Sequence, residues 1–141
     1  MNSKTTESIH WSFWLISALT LIWNVMGCAN YFMQMNPEIL ATYRESERMI
    51  VEGRPAWATA AFALAVFGGA IGCILLLIRR SAAMYLFIIS LLGVVVTMIY
   101  TLTIRIDFGV GEILGIILMP LAVAIFLVWY ASYAKQKGWI S

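Results

Sequence analysis

The side chains able to carry chemistry are few and scattered: one histidine, His10; two cysteines, Cys28 and Cys73; and seven acids, none of them in the middle of a long apolar run. Acid–base or nucleophilic catalysis needs such groups in mutual hydrogen-bond reach. A single histidine excludes a bis-histidine haem. Cys28 and Cys73 form no CxxC pair, so dithiol exchange lacks its partner. No P-loop, dinucleotide or zinc spacing occurs. Proton-coupled exporters rely on a carboxylate buried in the membrane, and the nearest candidate, Glu112, stands at the start of the last apolar run, where an acid suits a helix N-terminus. Arg105 and Asp107 are expected to pair at the surface. No catalytic residue, metal site or cofactor is expected, and an enzyme acting on a lipid-like substrate finds no acid, base or nucleophile here.

The remaining polar groups are neutral. The stretch LIWNVMGCANYFMQM (21–35) carries Asn24, Asn30 and Gln34 among apolar residues, and an amide in hydrocarbon costs free energy unless it is hydrogen-bonded. At 100° per residue Ser17, Thr20, Asn24, Gly27, Tyr31 and Gln34 share one helical face, with Asn30 at its edge, while Leu15, Ala18, Ile22, Val25, Met26, Ala29 and Met33 cover the other. Ser90, Gly93, Thr97, Tyr100 and Thr101 make a second such stripe. The candidate seam is therefore Asn24, Tyr31, Gln34, Thr97, Tyr100 and Thr101. It is either interhelical glue, worth about 0.6 kcal/mol per bond, or the lining of an outward-facing polar cavity. Pro120 deprives the Ile116 carbonyl of its usual partner, and Asn24 is expected to bond there or near Thr97.

These residues need a scaffold, and composition identifies it. The 141 residues are 62% hydrophobic and 11% charged, with mean hydropathy +0.89; a soluble domain carries about 25% charge. The lipid bilayer is the expected solvent, and a net charge of +2 gives no reason to expect nucleic acid. Four runs reach the ~20 residues that span a bilayer, at about 11–33, 56–78, 82–104 and 111–134. The fold class is then all-α: one domain over 1–141, an antiparallel bundle of four transmembrane helices. Gly68, Gly69 and Gly72, with Ala58, Ala61 and Ala65, give small-xxx-small spacing for close packing; Gly27, Gly93 and Pro120 are the other packing positions. Between the first two runs, Asn36 as N-cap and Pro37 at the first turn open a short amphipathic helix expected either to lie on the bilayer surface or to serve as a solvated connector, ending at Gly53 and Pro55. Val25–Cys28 loosely resembles a lipobox, but Asn24 interrupts the run where a signal core is greasiest, so Cys28 is read as an interfacial residue.

Cation placement sets the expected orientation. With both termini inside, Lys4, Arg79, Arg80, Lys135 and Lys137 are cytoplasmic, against Arg44, Arg48, Arg54 and Arg105 outside. Every acid but Glu7 then lies outside as well. The expectation is a multi-pass protein, N-in and C-in.

Trp23-Asn24-x-x-Gly27 followed by Tyr31, then PAWATAAFALAVFGGAIG and the double arginine 79–80, resembles a family of small bacterial four-helix integral membrane proteins commonly labelled "sugar transporter". The resemblance spans most of the chain, implies the fold and the bacterial inner (cytoplasmic) membrane, and brings no catalytic residues; the family pattern often has an acid where this chain has Asn30. Two functions follow as expectations. The first is an interaction, accessory or scaffold membrane protein that docks a larger membrane partner. The second is a transporter of a small neutral solute such as a sugar, working as a homo-oligomer. A cavity reaching Asn24 and Thr97 discriminates them.

Overall fold

The computed structural model describes residues 9–103 and 110–141, with Val110, Glu112 and Ile116 described by backbone alone. The expectations placed on Lys4, Glu7, the Arg105–Asp107 pair and the Glu112 side chain lie outside the described residues. Helix α1 (Trp11–Gln34) begins at His10, whose Nδ1 accepts from the Ser12 N–H at 3.2 Å, so the lone histidine serves as a helix cap. Short helices α2 (Pro37–Leu40) and α3 (Glu45–Glu52) follow, then α4 (Ala56–Leu77) and α5 (Ala83–Thr103). The last helical stretch runs without a break through α6 (Val110–Ile113), a π-helical turn (Leu114–Leu118) and α7 (Met119–Gln136). No strand occurs among the described residues.

Three helices, α1, α4 and α5, are long and apolar enough to cross a membrane, the mark of a membrane protein. In α1 only 17% of the most apolar window is buried within the protein, and Leu15, Leu19, Ile22, Met26 and Phe32 stand exposed along it. Apolar exposure on that scale suits lipid and not water. The fourth apolar run is divided by its π turn. Proline at 120 has no N–H to give, and just before it the Met119 N–H reaches back five residues to the Leu114 carbonyl, the spacing of a π-bulge.

The main packing runs α1 on α4, α4 on α5 and α5 on α7. Small residues make the α4 contacts close: Ala58, Ala61, Ala65, Gly68, Gly69 and Gly72 are all buried, as their spacing predicts. On α5, Gly93 lies against α4 backbone. A Cβ there would come within 2.6 Å of the Ala61 carbonyl oxygen and 2.8 Å of the Ala65 nitrogen. Ser90 donates its hydroxyl to the Ala65 carbonyl at 2.6 Å, which fixes the same crossing.

One end of the molecule is closed. Phe13, Leu76, Phe87, Leu127, Tyr130, Trp139 and Ile140 form a single buried cluster, and Phe13 of α1 stacks on Tyr130 of α7 with ring centroids 6.3 Å apart. The α4–α5 turn closes with Arg79 in the left-handed region (φ 64°) and the Arg80 N–H on the Leu75 carbonyl at 2.8 Å, a Schellman-type closure. The C-terminal segment then folds back over that turn. Ser141 donates to the Arg79 carbonyl (3.1 Å) and accepts from Ser81 (3.0 Å), while Arg79 Nε donates to the Trp139 carbonyl at 2.8 Å. This strap was not expected from the sequence.

The expected single surface helix is two. Asn36 does cap α2, its Oδ1 accepting from the Glu38 N–H at 3.0 Å, but the chain turns at 41–44 and restarts with extended Arg44. The apolar side of α3 faces the protein: Ile50 is buried and its carbonyl accepts from the Tyr100 hydroxyl at 2.9 Å. Helix α3 therefore caps the open end of the helical body.

Candidate functional site

Between the closed end and α3 lies a cavity of about 510 Å³, within the range of about 300–1,000 Å³ typical of small-molecule sites. All the long helices contribute to its wall: Asn24, Gly27, Asn30 and Gln34 from α1; Phe62, Ala65 and Val66 from α4; Ser90, Val94, Thr97, Met98 and Thr101 from α5; and Gly115, Ile117, Pro120, Val123, Ala124 and Leu127 from the last stretch. Tyr43, Glu47, Ile50, Val51 and Arg54 complete it from the connector. The cavity is half open. Trp23 and Met26 of α1 are both exposed at its lip.

Of the expected seam, Asn24, Gln34, Thr97 and Thr101 line this cavity; Tyr31 and Tyr100 do not. Tyr31 packs among Phe32, Phe62 and Phe67, with centroids 5.5–5.9 Å away. Tyr100 lies edge-on to Trp57 at 5.9 Å and spends its hydroxyl on α3. A tyrosine offers an apolar ring and a polar tip, so helical angle alone does not say which one decides its place. Tyr100→Phe is expected to release α3: amide hydrogen exchange across Glu45–Glu52 should accelerate several-fold while that of α4 stays unchanged, and uniform acceleration of both would contradict the pin.

Asn24 is buried, with 7% of its surface exposed, yet its bonds are not those expected. Its Nδ2 donates to the Thr20 carbonyl at 2.9 Å, one turn back on its own helix, and to Cys73 Sγ at 3.6 Å. It reaches neither Thr97 nor the Pro120 region, because the π turn accommodates the proline within its own strand of helix and the carboxamide is drawn onto α4. Its Oδ1 occupies the space over Gly69, where a Cβ would stand 2.0 Å from it. The packing role assigned to Gly69 is thus specific: it makes room for Asn24. Gly72 does the same for Phe87, and Gly27 seats against Val66. Thr97 and Thr101 donate back to the carbonyls of Gly93 (2.8 Å) and Thr97 (2.9 Å).

The mouth carries groups that the polar stripes did not include. Arg54 is half-buried, donating through a terminal nitrogen to Gln34 Oε1 at 2.9 Å and through Nε to Thr59 Oγ1 at 3.2 Å. Its guanidinium also lies 4.9 Å from the Phe62 ring centroid, a cation–π distance. Burial lowers its pKa, opposed by Tyr100 and Tyr31. The Tyr43 hydroxyl donates to Asn30 Oδ1, and burial, then the Glu47 carboxylate, hold that phenol above its usual range. The available signal for Arg54 was its place between Gly53 and Pro55, where a cation must sit at the point of return to hydrocarbon. For Tyr43 no periodic signal existed, since its direction depends on the turn at 41–44.

Comparison with family models, with curated proteins and with solved structures finds no match for this chain.

Proposed function

We propose that this chain is a multi-pass membrane protein that takes a small organic solute into the central cavity and passes it across the bilayer. The observation that carries the reading is the cavity itself: polar side chains of α1 and α5 and the π-turn region converge on a half-open space large enough for a small molecule, bounded by α3 at one end and by the buried cluster at the other. Glue between helices would close that space. In this reading α6, the π turn and α7 act together as a fourth span, giving the antiparallel bundle of four helices. In the same reading the closed end is cytoplasmic, which Arg79, Arg80, Lys135 and Lys137 support, with α3 and the mouth outside, and the family resemblance favours a bacterial inner membrane.

Gly115 supplies the discriminating variant. It lines the cavity, and a Cβ there meets nothing within 4 Å, so a larger side chain has room to start and Gly115→Leu is chosen to take up cavity space. Proteoliposomes are to be assayed with a panel of neutral sugars, polyols and small organic acids. The expected result is uptake of at least one class above empty liposomes, reduced by about tenfold or more in Gly115→Leu, since loss of room acts on binding directly. Uptake that never exceeds empty liposomes across the panel defeats the transport reading and leaves the accessory-protein one.

A further inference from the structure

Apart from the Trp23 indole at the lip, the donors left unspent in the cavity gather at the mouth. Deeper in, the hydroxyl hydrogens are committed to backbone carbonyls: Ser90 to Ala65, Thr97 to Gly93, Thr101 to Thr97. Asn24 gives its amide to Thr20 and Cys73. The surrounding wall is Val94, Met98, Ile117, Val123 and Leu127. A sugar or polyol, which must accept as well as donate, would find acceptor oxygens there but no uncommitted donor. At the mouth the situation reverses. Asn30 and Gln34, one turn apart on α1, both use their carboxamide oxygens as acceptors, from Tyr43 and Arg54. Their amide nitrogens, which only donate, have no partner among the described residues. Arg54 has five N–H groups; its two bonds go to neutral oxygens, and among the described residues no acid acts on it. Among the described residues this half-buried guanidinium is bonded only to neutral groups and is short of a counter-charge.

From this juxtaposition we infer that the cavity takes an anionic amphiphile, its anionic head held at the mouth by Arg54 with the Asn30 and Gln34 amides, and its apolar body directed among the aliphatic residues toward Leu127. The inference rests on the cavity being the solute site and names the class of solute. Glu47 lines the same mouth; its field falls on Tyr43, the phenol that holds Asn30, while the groups acting on Arg54 are Tyr100 and Tyr31. The same head chemistry is offered by a free carboxylate and by an anionic lipid.

The test uses the full chain in phosphatidylcholine nanodiscs, with equilibrium dialysis of radiolabelled decanoate, decanol and decylamine and with empty nanodiscs as the partition blank. The expected result is saturable decanoate binding about tenfold or more tighter than decanol, as a charge-assisted contact gives. Arg54→Gln should remove that preference while decanol binding persists, which shows the cavity is still formed, and Arg54→Lys should keep part of it. Adding phosphatidylglycerol to the discs separates the sources: displacement of decanoate assigns the head to lipid, and no displacement assigns it to the free acid. Equal binding of decanoate and decanol, tighter binding of decylamine, or an anion preference that survives Arg54→Gln overturns the inference but leaves the cavity reading standing. If no probe binds above the blank, or if Gly115→Leu changes none of the affinities, the cavity reading itself fails.

Discussion

Gly93→Ala is expected to destabilise the protein by about 2–3 kcal/mol, the upper part of the range for overpacking. The reason is what the added methyl meets. Its positions relative to the Ala61 carbonyl (2.6 Å) and the Ala65 nitrogen (2.8 Å) put it on backbone, not on the tip of a side chain. A side chain would rotate away; two helices must instead separate along their whole crossing, breaking the Ser90–Ala65 hydrogen bond and loosening the cavity wall that Ala65 and Thr97 share. Gly111→Ala is the control, because nothing lies within 4 Å of a Cβ there and alanine favours helix by up to about 1 kcal/mol. Unfolding in mixed micelles, followed by far-ultraviolet circular dichroism, measures both. Equal midpoints for the two variants would show that α4 and α5 do not approach as closely as the structure has them.

The packing face of α4, though not its partner, was readable in the sequence because lipid removes most of the alternatives. A helix surrounded by hydrocarbon gains little from one apolar neighbour over another, so its small residues mark where backbones meet, and Ala58, Ala61, Ala65, Gly68, Gly69 and Gly72 are buried as that rule requires. The two faces of α1 were readable for the same reason: Leu15, Ala18, Ile22, Val25, Met26, Ala29 and Met33 are all exposed, while Ser17 and Asn24 are buried. Periodicity stops at the helix ends, and so did the reading. Whether α3 rests on the bilayer or on the protein depends on long-range contacts such as the burial of Ile50 and its bond from Tyr100, 50 positions away. The strap of Trp139, Ile140 and Ser141 has no period at all, and is held by the backbone of the Arg79 turn. Arg54 shows the limit most sharply, since a cation between glycine and proline reads as a surface residue until Gln34 and Phe62 are seen beside it.

Gly69→Ala is expected to cost about 2 kcal/mol on its own, but to add little further loss when it is made on top of Asn24→Ala. The Asn24 carboxamide and a Cβ on residue 69 cannot share the space they would both occupy, with Oδ1 2.0 Å from the methyl. In the single variant the carboxamide must leave, surrendering its bonds to Thr20 and Cys73, and an amide displaced within hydrocarbon pays for lost partners. Asn24→Ala alone loses only polar bonds, worth about 0.6 kcal/mol each on average in membrane helices and at most about 1.7. The double variant removes the group that had nowhere to go, so its stability should lie near that of Asn24→Ala alone, with a coupling of about 1 kcal/mol or more between the positions. The same unfolding assay completes the cycle. Strict additivity would mean that the two residues do not compete for one site. Asn24 would then be held somewhere other than on Gly69, and the α1 wall of the cavity would have to be redrawn.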